Sequence, residues 1–378
     1  MFASFLSALN QELEASHAST RFGQGWISGV LSLFLTISGL LTTIYLHYPK
    51  LFTVPALHSS IDIVWYKLAL SFMLLTGFVM ACISLILRQN KIMGFTALIL
   101  CASAIGIGST HSYVSNGTVG GVYFGMDWFV LNLTLTGIIF LPMERLFRRA
   151  NQPVFRVEWR EDLFYFLLSS LMVQSLAFLS LAPSKIVLAT TDIELVQGYV
   201  ASQPGWLQFL EIMLFTDLVQ YWLHRLFHKV PFLWRFHAIH HSAKVLDWLA
   251  GSRMHIVEII CLRSLTIIPM QVLGFHQSLI YLYLVVVYVY STYIHSNVRF
   301  DLEWIKPMMV TPRFHHWHHG SEPEAIDVNF AVHFSFLDRV FGTYHMPVGK
   351  WPKDYGVVGN DVPSGYLKQF MHPFAKKK

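Results

Sequence analysis

Charge is scarce in this chain. Only 13% of its 378 residues are Asp, Glu, Lys or Arg, whereas 54% are hydrophobic and the mean hydropathy is +0.47. Soluble domains carry about a quarter charged residues, so the scarcity excludes that class. Cysteine is nearly missing too. Cys82, Cys101 and Cys261 each lie inside an apolar stretch, which excludes a disulfide framework and a cysteine-held iron–sulfur cluster. No flavin or nicotinamide glycine fingerprint occurs, no repeat recurs at a fixed period, and the start shows no basic region followed by a cleavable apolar core. No signal peptide is expected. Basic residues are not interleaved with aromatics in a groove pattern, so no nucleic-acid partner is expected either.

What is present is apolar sequence in long runs. A helix needs roughly twenty residues to cross about 30 Å of hydrocarbon, and stretches of that order occur at 26–47, 62–87, 93–112, 122–142, 161–182, 205–224, 256–274 and 277–295. The expectation is an all-α integral membrane protein, a bundle of about eight membrane-embedded helices under a polar, histidine-rich cap. Arg88 and Lys91, the Arg145 to Arg160 cluster, and Arg225, Lys229, Arg235 and Lys244 follow alternate passes, while the opposite loops carry little beyond Lys50 and Lys185. By the positive-inside rule, the basic loops, both termini and the cap face the cytoplasm. Phe2, Phe5, Leu6, Leu9 and Leu13 recur at helical spacing, as in an amphipathic helix lying on that membrane face. Asn116-Gly-Thr, in an opposite loop, is a formal glycosylation sequon. The expected organisation is a four-span region 1–143, a basic linker 144–160, a catalytic region 161–346 and a tail 347–378.

Twelve of the nineteen histidines lie between His224 and His319, mostly in three boxes: His224-x3-His228, His237-x2-His240-His241 and His315-x2-His318-His319. Residues three and four apart share one helix face, so each box aims two or three imidazoles at one point. Eight clustered imidazoles exceed what one metal with four to six positions can take, and imidazole suits Fe, Zn, Cu and Ni. The spacing therefore points to two adjacent metals. His295, at the end of the last pass, is a candidate ninth ligand or supporting residue. His316 points about 100° away from His315 on a helix and is left out. His255 reads as a supporting residue, His333 and His345 as hydrogen-bonding residues of the cap, and His17, His47, His58, His111 and His372 as ordinary histidines. Neutral imidazoles do not compensate metal charge, so Asp217, Glu258, Asp327 and Asp338 are expected to orient histidines or supply that charge, Asp338 having a salt bridge to a nearby arginine as its alternative.

With Arg253-Met254-His255, Ile294-His295-Ser296-Asn297, Thr311-Pro312, Asp327-x-Asn329-Phe330 and Asp338-Arg339-Val340-Phe341-Gly342-Thr343-Tyr344, the boxes give residues 160–346 a close resemblance to the fatty acid hydroxylase and sterol desaturase superfamily of membrane di-iron enzymes. The resemblance implies an oxidoreductase that uses O2 to hydroxylate or desaturate a lipid C–H bond. It implies two iron ions, replaceable by zinc in purified protein, on His224, His228, His237, His240, His241, His315, His318 and His319. His295 supports or completes that set, and Asn297 and Asn329 join the supporting residues. A separate electron donor is implied, a ferredoxin or a cytochrome b5-like protein with its reductase, for which the basic loop from Arg145 to Arg160 is a landing surface. A bacterial inner membrane is the expected location, with the endoplasmic reticulum as alternative. The competing reading is a histidine-rich membrane metal-binding or transport protein without oxygenase activity.

Overall fold

Backbone amides that face hydrocarbon have no water to bond, so the apolar runs close their hydrogen bonds within helices. The computed structural model describes residues 2–14, 26–53, 63–109, 125–300, 304–359 and 362–375, and among these it contains helices and no strand. His17, His58, His111, the Asn116 sequon and the last three lysines lie outside the described residues.

Packing divides the chain into two units. The first comprises Met1–Arg145, Asn151–Val157 and Leu167–Gln174. Its helices are α1 (Phe2–Glu14), α2 (Trp26–His47), a short turn α3 (Pro49–Phe52), α4 (Ile63–Leu87), α5 (Ile92–Ser109) and α6 (Met126–Leu146). Helix α2 packs against both α4 and α5. Small residues permit the close approach: a Cβ on Gly77 would come within 2.8 Å of Thr36 Cγ2. Serine and threonine in α2 return their hydroxyls to the helix itself, as Thr36 and Thr43 do to the carbonyls of Ser32 and Gly39. Arg88 is tied to Glu12 at 2.5 Å. Phe72, Leu75, Ile86 and Phe95 are exposed apolar side chains, as expected of surfaces that meet lipid.

The second unit comprises Leu146–Ala150, Glu158–Phe166 and Ser175–Lys378. Along the chain run α7 (Trp159–Leu171), α8 (Val173–Thr190), α9 (Glu194–Ser202), α10 (Gly205–Lys229), α11 (Pro231–His241), α12 (Ile256–Val272), α13 (Gln277–His295), α14 (Pro312–His318), α15 (Phe336–Val340) and α16 (Tyr366–Met371). Helix α10 packs on α11, α12 and α13, and α13 packs on α14. Their boundaries follow from sequence. Pro231 and Pro312 occupy the first helical positions of α11 and α14, where the missing amide costs nothing. Thr311 caps α14 by accepting from the Phe314 amide. His255 caps α12 by accepting from Val257. The apolar core of this unit runs from Ile212 and Tyr221 through Tyr283 and Ile294 to Phe314, Phe330 and Phe334.

Among the described residues, four helices are long and apolar enough to cross a membrane: Ile27–His47, Val64–Leu87, Met126–Leu146 and Gln277–His295. Eight were expected, and the other four segments differ for physical reasons. The 93–112 run forms an apolar helix that is one residue short of that length, Ile92–Gly108. The 161–182 run is broken between Leu171 and Val173. Helix α10 buries Gln208 and Asp217, polar residues that lower its hydropathy, and α12 has 17 residues with Glu258 in its first turn. The basic linker is not a uniformly open surface either. Arg156 is buried, and Arg149 is committed to the Tyr355 hydroxyl and the Pro352 carbonyl.

Candidate metal centre

Each box sits where a helix ends. Helix α10 carries His224 and His228 in its final two turns, α11 carries His237, His240 and His241, and α14 carries His315 and His318 with His319 at its C-cap. Cβ atoms four residues apart lie on one helix face, and the pairs His224/His228, His237/His241 and His315/His319 each enter one group, whereas His240 and His318 part from the other rings of their helices. Two groups result. His224, His228, His237, His241 and His318 form one, with candidate ligand atoms all within 4.8 Å of one another, and His240, His295, His315 and His319 form the other to the same limit. The groups adjoin, with His241 and His319 stacked at 4.4 Å between ring centroids.

Five of the nine rings are tethered through Nδ1, whereas Nδ1 of His315 and of His319 is buried without a hydrogen-bond partner. His224 Nδ1 donates to the Phe330 carbonyl at 2.8 Å, His318 Nδ1 to the Val328 carbonyl at 2.8 Å and His240 Nδ1 to the Arg253 carbonyl at 3.1 Å. His295 Nδ1 donates to the Ser291 carbonyl at 2.7 Å, and His237 Nδ1 to Glu258 at 2.5 Å. A carbonyl can only accept, so Nδ1 carries the proton and Nε2 of the neutral ring is left with a lone pair. These Nε2 atoms then face each other: His224 and His237 at 3.0 Å, and His240 and His295 at 3.3 Å. Two lone pairs at that distance repel, and a cation between them removes the repulsion. His228 Nε2 and His318 Nε2 are buried without a hydrogen-bond partner, which is costly unless a metal takes them. The donor set therefore fits metal in both groups.

Electrostatics agree. Burial, reinforced by neighbouring imidazoles, holds His240, His241, His315 and His319 well below the ordinary histidine value. Burial pushes His318 down to about 3. These rings are neutral at physiological pH and available as ligands. Compensating charge is close at hand. Glu258 is buried against His237, and Asp327 lies 3.3 Å from His228 Nδ1 while pairing with Lys229 at 2.6 Å.

The remaining expected residues sit further out. Asp217 accepts backbone amides from Val332, His333 and Phe334 at 2.8, 3.1 and 2.6 Å. Asn329 donates to the carbonyls of Phe314 and His345 and accepts from the His345 amide. His255 bonds the Phe370 carbonyl and packs among Phe236, Phe370 and Phe374. Asn297 exchanges two hydrogen bonds with the Ala150 backbone. The bonds of His255 run to the Phe370 carbonyl and the Val257 amide. His316, left out on helical angle, points instead to the Tyr355 hydroxyl and the carbonyls of His295 and Ser296. His345 packs on Trp317 and His333 on Tyr290. Asp338 is not in a salt bridge; it accepts from the amides of Phe330 and Ala331 and from Thr343. Burial raises its carboxyl to about 6.

Arg253 was read only as part of a motif. Its side chain is fully buried against Asp162 at 2.5 Å and Glu158 at 2.9 Å, and its carbonyl orients His240. The sequence signal was there, since a guanidinium beside apolar segments needs a buried carboxylate, but its partner lies about ninety residues upstream.

Three histidine boxes on helix ends, joined by an imidazole at the end of an apolar helix, define a histidine-box membrane domain. Residues 209–343 match the fatty acid hydroxylase family model. Over that segment the chain is similar to the fatty acid hydroxylase family. It is 32% identical to an ornithine lipid hydroxylase of Rhizobium tropici over 42% of this chain and 47% of that protein. Identity is 31% to an alkylglycerol monooxygenase of Danio rerio, over 37% and 30% of the two chains. It is 30% to a cholesterol 25-hydroxylase of Mus musculus, over 44% and 55%. The matched part of the chain thus spans between 30% and 55% of these relatives' lengths. No solved structure matches.

Proposed function

We propose that this protein is a membrane-bound, non-haem di-iron oxygenase that hydroxylates a lipid C–H bond. The observation that carries the reading is the pair of adjoining imidazole groups whose unprotonated nitrogens converge. Iron bound there supplies O2 activation and removal of hydrogen from an unactivated carbon. The relatives named above are hydroxylases and monooxygenases, which favours hydroxylation over desaturation.

The chain's own residues do the rest. His224, His228, His237, His241 and His318 hold one metal, and His240, His295, His315 and His319 the other. In His224, His240, His295 and His318 main-chain carbonyls keep Nδ1 protonated, so Nε2 stays open as a ligand. Glu258 and Asp327 contribute negative charge that neutral imidazoles lack. Burial of all nine rings to below a tenth or little more keeps bulk water from the reacting carbon, which limits side reactions. The substrate is a membrane lipid entering from the bilayer, and two electrons for each O2 come from a separate ferredoxin or cytochrome b5-like donor with its reductase. We place the boxes on the cytoplasmic side of a bacterial inner membrane. A transport path would stagger its ligands across the membrane, whereas these gather in one place.

The test is mass spectrometry of total lipids from cells carrying the wild-type gene, a deletion, or His318→Ala/His319→Ala. One lipid class should lose an added oxygen in both altered strains. Unchanged lipids in a strain whose protein is expressed and holds iron would defeat the proposal.

A further inference from the structure

Three of the five rings in the first group are anchored to one short stretch of chain. His228 faces the Asp327 carboxylate, His318 donates to the Val328 carbonyl and His224 to the Phe330 carbonyl. In the second group, no ring bonds this stretch: His240 is held by the Arg253 carbonyl and His295 by its own helix. The stretch has an unusual backbone. Asp327 and Asn329 are left-handed, at φ 61° and 59°, a conformation that Asp and Asn tolerate better than other residues with a side chain. Left-handed residues thus alternate with the two whose carbonyls reach imidazoles.

Buried side chains fix the stretch from both ends. Asn329 is fully buried and makes three hydrogen bonds, to Phe314 and twice to His345. Asp338 takes the amides of Phe330 and Ala331, and Thr343 donates to the same carboxylate at 2.6 Å. Asp217 takes the next three amides. The Phe330 carbonyl shares its peptide plane with the Ala331 amide, so without the Asp338 carboxylate accepting from that amide it would be free to rotate away from His224.

The geometry points to residues 327–334 as a strap that positions the five-histidine group alone, with Asn329 and Asp338 as positioning residues, so that the two metal positions are gained and lost independently. This rests on the reading of both groups as metal sites. Supporting partners of this kind typically contribute about 10–100-fold in metal affinity, and that loss is expected at one position only.

The experiment uses the full chain in detergent, stripped with chelator and titrated with Zn2+, with bound metal counted by mass spectrometry. Wild-type protein should hold two ions. Asp338→Asn and Asn329→Gly should each hold one tightly and one about 10–100-fold more weakly. Glycine accepts the left-handed backbone, so failure of Asn329→Gly isolates the side-chain bonds from the strain. His315→Ala should keep the first position, and the double variant His315→Ala/Asp338→Asn should hold no ion tightly. Where Asp338→Asn does not fold, Thr343→Val, which removes a single hydroxyl from that carboxylate, takes its place with the same expected direction. Two tightly held ions in the folded strap variants, or equal weakening at both positions, would overturn the proposal. A wild-type protein that binds no ion would instead overturn the metal reading beneath it.

Discussion

Removing the Arg253 guanidinium should destabilise the second unit more than any single loss of an exposed charge. Both Arg253 and Asp162 have side chains at 0% exposure, 2.5 Å apart. Arg253→Ala leaves the Asp162 carboxylate buried without its cation, a change that costs about 3–5 kcal/mol when a buried pair is broken from one side. The Glu158 and Glu161 side chains, about one-fifth exposed, can still turn toward water, so their share is discounted. For a unit of this size about 1 kcal/mol corresponds to roughly 2–4 °C, and the expected fall in melting temperature is about 6–20 °C. Arg253→Met/Asp162→Leu removes both charges and keeps apolar volume, and such replacements are often neutral or better. The double variant should therefore recover most of the loss. The assay is thermal denaturation in detergent, followed by far-UV circular dichroism at fixed heating rate because membrane proteins commonly unfold irreversibly. A single variant melting within 2 °C of wild type, or a double variant no better than the single, would show that this pair does not hold the loop under His240.

Three further outcomes follow from distances already given. Glu258→Gln keeps a hydrogen-bond acceptor near His237 but removes a buried negative charge, so Zn2+ affinity should fall by about 10–100-fold; unchanged titration curves would remove Glu258 from the compensating set. Gly251→Ala would place a Cβ 2.9 Å from His295 Nδ1; steric overpacking of about 1–3 kcal/mol is expected, with metal lost from the four-histidine group, and a variant holding both ions at wild-type stability would contradict the geometry. His316→Ala should hold both ions, since His316 faces Tyr355 and two carbonyls, and should cost about 1–3 kcal/mol from the partners left unsatisfied; loss of an ion with the fold intact would make it a ligand.

The boxes were legible because helical periodicity is a local rule: spacing of three and four residues shows which imidazoles travel together, and the exclusion of His316 used the same rule. Helical, membrane-embedded character was equally plain from composition. How the rings divide was not legible. His237 and His241 go to one group and their neighbour His240 to the other, because rings on one short helix diverge by angle and only tertiary packing decides which partner each meets. His295 meets His240 and His315 through contacts of 55 and 20 residues' separation. Of the eight expected passes, four meet the length and hydropathy of a membrane span among the described residues, and the other segments form shorter or more polar helices. Hydropathy averages over a window, whereas Asp217 in α10 and the break after Leu171 depend on what the other side of the helix touches. Asp338 is read from sequence as orienting a histidine, with a salt bridge as the alternative, but its partners are the Phe330 and Ala331 amides and Thr343, which no sequence pattern displays.

Four of the imidazole tethers end on main-chain oxygens, those of Ser291, Arg253, Val328 and Phe330. Every amino acid carries such an oxygen. The side chains at 291 and 328, which are only partly buried, can therefore change while the atom that orients the ring stays in place, whereas Phe330 is fixed by the core it packs in. This separates two kinds of variation within one small volume: side chains beside the centre can vary while the tethers that orient the imidazoles are inherited intact.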